Sequence, residues 1–213
     1  MKYTFASTYQ LKVLPYFDTN QAGELTVKPG LVKTIIDCHT HLGLSYLFAP
    51  PIELSASVPL QQLFPADSQP IDLRHHTSAD YSPELKKKLR HHATQVFYSN
   101  KGLNGTITIP NLLKTMDEIS VSKSFVLAID YPFLSKNSET MLKSIAHEPR
   151  LIGFGSVHPA SFQKQQKVAR LKSQGAVGIK LHPFFMMMRP ANRAYFPIYE
   201  ACQELDMPIL FHT

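Results

Sequence analysis

The chain has 213 residues, 44% of them apolar, enough for one large domain or two small ones around a sizeable core. Its net charge of +6, from 22 basic and 16 acidic residues, is spread along the chain and argues only weakly for an anionic substrate and more weakly still for nucleic acid. Its two cysteines, Cys38 and Cys202, suggest a reducing compartment; with no apolar signal-peptide core at the start and no apolar run long enough to span a bilayer, a soluble cytoplasmic protein without a membrane role is expected.

Residues 1 to 33 read as short strands and turns. Asp18-Thr19-Asn20 and Gln21-Ala22-Gly23 are turn material, and Pro29-Gly30 is a breaker pair. Leu31 to Asp37 is expected to form the first buried strand. The run Ile35-Ile36-Asp37-Cys38-His39-Thr40-His41 ends in two histidines spaced i and i+2. Side chains alternate faces along a strand, so His39 and His41 point the same way, as two imidazole ligands of one metal would. Packing or hydrogen bonding at a strand end is the bland alternative.

From Gly43 to about Gly105 the periodicity fades, and Pro50, Pro51, Pro59, Pro65 and Pro70 mark a loop-rich insertion or cap. Within it, Ser82-Pro83-Glu84 is a helix start, with Ser as N-cap and Pro at the first helical position. Leu85, Leu89, Ala93, Val96 and Phe97 would share one face of that helix. Lys86, Lys87, Lys88 and Arg90 read as its solvated side. His75-His76 and His91-His92 read as surface or loop histidines, because adjacent side chains diverge.

Beyond Asn104-Gly105 helices and strands alternate. Helices are expected from Pro110, over Ser138–Ala146, over Ser161–Ser173 with Gly175 closing it, and over Pro197–Leu205. Strands are expected over Ser124–Ile129, Leu151–Val157, Ala176–Leu181 and Pro208–Phe211. Alternation of this kind implies parallel strands joined by helical crossovers. Polar side chains recur at the strands' C-terminal ends: His39 and His41, Asp130, His158, Lys180 and His182, and His212. That edge carries the ligand site in parallel α/β folds. No Gly-rich phosphate turn follows the first strand, so a barrel is favoured over a doubly wound sheet.

Three motifs in this order, Asp37-x-His39-x-His41, Gly178-Ile179-Lys180-Leu181-His182-Pro183 and Pro208-Ile209-Leu210-Phe211-His212-Thr213, resemble the amidohydrolase superfamily. The likeness is to its amidohydrolase-related group of TIM-barrel, metal-dependent hydrolases. It runs from about Ile35 to Thr213, with little from residues 43 to 105. It implies a divalent metal, usually zinc, held by His39, His41 and His212. Asp37, one layer deeper on the same face, would fix a ring tautomer. Lys180 and His182 would contact substrate or orient water. A carboxylate would suit Lys180, which could instead be carboxylated or ion-paired. His158 faces the mouth by position but is equally an ordinary loop entry.

The resemblance implies hydrolysis of a carbonyl or amide-type bond in a small-molecule substrate, with non-oxidative decarboxylation as the nearest alternative. A catalytically inactive interaction piece is another reading, and a homo-oligomer stays open. A complete barrel has eight strands and ~250 residues; five barrel strands are legible here. The expectation is one α/β, TIM-barrel-like domain over residues 1–213, truncated after its fifth barrel strand. It would lack the family's later histidine and its base, an aspartate.

Overall fold

The computed structural model describes residues 4–21, 23, 25–28, 30, 31, 33–61, 71, 72 and 82–212. In chain order the elements are β1 (Thr4–Phe5), β2 (Phe17–Thr19), β3 (Leu25–Val27), β4 (Ile35–Thr40), β5 (Ile71–Asp72), α1 (Pro83–Gln95), α2 (Ile109–Glu118), β6 (Val121–Leu127), α3 (Asn137–Ile145), β7 (Leu151–Gly155), α4 (Lys164–Ser173), β8 (Gly178–Leu181), α5 (Phe196–Glu204) and β9 (Ile209–Phe211). None of the described helices is long and apolar enough to cross a membrane. His75 and His76 lie outside the described residues.

β4, β6, β7, β8 and β9 form one sheet in that order, and every pairing is parallel. Each strand lies beside its predecessor, with no reversal of order. A doubly wound sheet needs such a reversal; the first five strands of a (β/α)8 barrel do not. The arc is also curled. Flat, its two edges would stand roughly 19 Å apart, four spacings of ~4.8 Å. Yet His39, near the end of one edge strand, and His212, just past the end of the other, bring their ring centroids to 5.4 Å.

The core lies where the sheet meets its helices. Val126, Ile179 and Leu181 are fully buried in the central strands, and Met141, Leu142, Ile145, Val168, Leu171, Ile198 and Cys202 cover them from α3, α4 and α5. Gly178 has no room for a side chain: a Cβ there would run into the Phe154 ring and sit 2.7 Å from the Pro208 carbonyl oxygen. It lets β8 pack closely between its neighbours.

Several boundaries differ from the sequence expectation for local reasons. The first sheet strand is Ile35–Thr40 and is not buried; Leu31 and Ile36 are about half exposed, because among the described residues β4 pairs only with β6 and is an edge. Asp18 and Thr19 are strand, not turn: they pair with Thr26 and Leu25, and the chain reverses at Asn20–Gly23. Phe17 and Leu25 draw this hairpin onto a separate small core of Phe5, Leu11 and Leu14. α4 begins at Lys164 and not at Ser161, since Gln163 has a left-handed backbone (φ 50°) that a helix cannot include. The Ser82 cap of α1 is present, accepting the Leu85 N–H at 3.2 Å. Of its expected apolar face only Leu85 is buried, while Ala93 and Phe97 are exposed.

Candidate functional site

His39 and His41 straddle the end of β4, and their rings stand 5.3 Å apart, edge to face. β6 runs parallel beside β4, and its last residue supplies the carbonyl that meets the His41 ring: Nδ1 lies 2.7 Å from Leu127 O. A carbonyl only accepts, so the proton sits on Nδ1 and the Nε2 lone pair stays free. Burial lowers the His41 pKa, more than the Leu127 bond raises it, and the neighbouring bases lower it further. Asp37 turns its Oδ1 to the His39 backbone N–H at 2.9 Å. That bond fixes the strand end, where the sequence suggested contact with a ring.

The opposite wall comes from β8 and β9. The His212 N–H donates to Leu181 O at 2.9 Å, which extends the β8–β9 pairing by one bond. The His182 ring stacks on His212 at 3.9 Å and 15°, and on Phe185 at 4.1 Å and 28°. Burial first, then His212 and Lys180, push the His182 pKa down to about 4. Lys180 lies one alternation deeper on β8. Its side chain is wholly buried and its Nζ has no hydrogen-bond partner among the described residues. Burial lowers its pKa to about 8, so at neutral pH it is still mostly an ammonium. That ammonium also lowers His39 and His212. The result is a group of four neutral imidazoles around a buried cation, at the C-terminal edge of a parallel sheet.

A metal fits the donor chemistry and the spacing of this group. Two imidazoles bound to one ion at ~2.0–2.1 Å, at a tetrahedral angle, hold their ring centroids roughly 5 Å apart. His39 meets that spacing with both His41 and His212. The ring nitrogens do not yet converge: no three His, Cys, Asp or Glu side chains among the described residues are posed to hold an ion. His39 and His212 are exposed.

Two strand-end residues from the sequence analysis lie elsewhere. Asp130 is a structural cap. Oδ1 accepts from Ser135 Oγ (2.6 Å) and the Asn137 N–H (2.7 Å), and Oδ2 accepts from the Ser138 N–H (2.9 Å) and Ser138 Oγ. The His158 ring packs on Tyr131 at 5.5 Å, and its Nδ1 accepts from the Ala160 N–H at 3.0 Å. Tyr131 is a residue the sequence analysis missed. Its hydroxyl donates to Phe185 O at 2.8 Å, tying the loop after β6 to the loop after β8. Its position directly after a strand-end Asp was the available signal.

An arc of parallel βα units with histidines gathered at its C-terminal mouth defines a class of α/β barrel proteins. The family model described as Amidohydrolase matches residues 36–213, and the chain belongs to that family. No curated protein matches the chain significantly. Among solved structures it is similar to a probable 2-pyrone-4,6-dicarboxylic acid hydrolase from Acinetobacter baumannii with citric acid bound. That pair shares 19% identity over 84% of this chain and 49% of that one, with a TM-score of 0.45. It is also similar to the apo form of an IDCase from Metarhizium anisopliae, at 16% identity over 84% of this chain and 50% of that one, with a TM-score of 0.48. The chain spans about half the length of these two structures.

Proposed function

We propose that the chain is the metal-binding part of a metal-dependent hydrolase, acting in the cytoplasm on a small molecule that carries a carboxylate. The observation that carries this reading is the meeting of His39, His41 and His212 from the two edge strands around buried Lys180. His39, His41 and His212 would hold a divalent ion, zinc by preference for three imidazoles. When bound, such an ion supplies Lewis acidity that acidifies water and polarises a carbonyl.

The chain's own residues do the rest. His41 is oriented by Leu127 O and presents Nε2. Asp37 holds the strand end that carries His39. Lys180, a cation with no partner among the described residues, seats the substrate carboxylate. His182, held between two rings, orients the reacting group. Residues 1–213 would form one domain, with 43–105 as a cap that shapes the pocket. Decarboxylation is the second reading. In it the desolvated Lys180 ammonium would stabilise the negative charge left on the substrate carbon as carbon dioxide departs.

The test is zinc stoichiometry of the purified chain by native mass spectrometry. One equivalent in the wild type, lost in His39→Ala and in His212→Ala, supports the reading. Retention of that zinc in both variants contradicts it.

A further inference from the structure

A cavity of about 540 Å³ lies beside the histidine group, and none of His39, His41, Lys180, His182 or His212 lines it. Its size falls within the ~300–1,000 Å³ range of small-molecule sites. It is bordered by the loop after β4, the β6–α3 connection, residues 156–161 and one side of α4, and is open to solvent.

The polar groups on its wall are unequally used. Its acids are already engaged: Asp130 accepts four hydrogen bonds, and Glu139 pairs with Arg170 at 2.6 Å. The groups left over are donors. The Ser156 side chain is buried and its hydroxyl has no partner among the described residues. His158 accepts at Nδ1 from Ala160, and burial keeps the ring neutral, so its proton is on Nε2. Lys167 is half buried and makes no ion pair among the described residues. The hydroxyl, the ring N–H and the half-buried Lys167 ammonium complement a single carboxylate, with its two oxygens and about four lone-pair positions, while the second lysine of the wall, Lys136, is exposed.

The remaining wall is largely apolar and includes Tyr46, Leu47, Pro51, Phe133, Val157 and Leu171. Two of these hold backbones that bulky residues rarely adopt: Leu47 at φ 52° and Phe133 at φ 62°. Such strain persists where the surroundings enforce it, and it concentrates at ligand sites. The Leu47 N–H bond to Leu134 O, at 2.9 Å, pins these two strained loops to each other at the cavity wall.

We propose that this cavity is a second binding site, separate from the histidine group, for a small monocarboxylate with an apolar or aromatic body. Ser156, His158 and Lys167 take the carboxylate, and the Tyr46–Phe133 wall takes the body.

The probes are benzoate and its neutral isostere benzamide, titrated into the full chain by calorimetry, with circular dichroism to check that each variant is folded. Benzoate should bind at least about tenfold more tightly than benzamide, the scale of one charge-assisted hydrogen bond. Lys167→Met and Ser156→Ala should each weaken benzoate by about tenfold, and the His39→Ala/His212→Ala pair should leave it within about twofold. Lys167 lies on a half-exposed helix position, so its variant gives an answer even if Ser156→Ala does not fold. Equal binding of the two probes, no binding of benzoate, or indifference to Lys167→Met overturns the proposal. Loss of benzoate binding in the paired histidine variant also overturns it, because the probe would then sit among the histidines.

Discussion

Lys180 shows how strongly a single side chain is shaped by its place on a strand. A buried ammonium with no partner among the described residues is costly, because desolvation is not offset by a hydrogen bond. Lys180→Met keeps the length of the side chain and removes the charge. The metal-free variant is therefore expected to be more stable than wild type by about 1–3 kcal/mol in urea unfolding at pH 7; equal or lower stability would mean the ammonium has a partner in solution. Cys202 carries the opposite electrostatic lesson. It sits in the core, and burial raises its thiol pKa to about 11 from 9.0. The unfolded chain loses this proton first, so the folded state binds more protons between those values and stability falls as pH rises through the window. Against Cys202→Ala, wild type should lose about 2 kcal/mol between pH 9 and 11; parallel pH profiles would contradict it. The shared facing of His39 and His41 was legible from strand alternation. The tautomer of His41 was not, because Leu127 is 86 residues away in sequence.

At the scale of the elements, the connection from β6 to α3 is the most informative. The sequence suggested a functional Asp130 at a strand end, and that strand end is where the structure has it. What it does there depends on Ser135, Asn137 and Ser138 folding back to meet it. The carboxylate thereby serves the first N–H groups of α3, the positive end of the helix. Asp130→Ala should cost about 2 kcal/mol of stability, measured by thermal or urea unfolding, and should leave zinc binding unchanged. A loss of zinc with full stability would return Asp130 to the functional group. The helices and strands after Gly105 were readable because apolar periodicity and Gly or Pro boundaries agree there. Their ends moved by a few residues where a local conformation intervened, as at Gln163. The edge character of β4 was hidden, since Ile35-Ile36 reads the same at an edge as in the middle of a sheet.

For the whole molecule, the order and direction of the five sheet strands followed from the βα alternation, and the curl that joins the ends did not. Sequence spacing places His39 and His212 on first and last strands; only the three-dimensional arc puts their rings 5.4 Å apart. The insertion between β4 and β6 had the weakest periodicity, and its contribution, the left-handed Leu47 and the wall of a cavity, depends on contacts with the distant Leu134 that no local pattern encodes. The central claim is that the two sheet edges meet at one ion. Anomalous diffraction at the zinc edge, from crystals of the full chain grown with zinc, tests it most directly. A single peak about 2.0–2.1 Å from a ring nitrogen of each of His39, His41 and His212 is the predicted result; a structure with zinc bound elsewhere, and these three rings still apart, would contradict it.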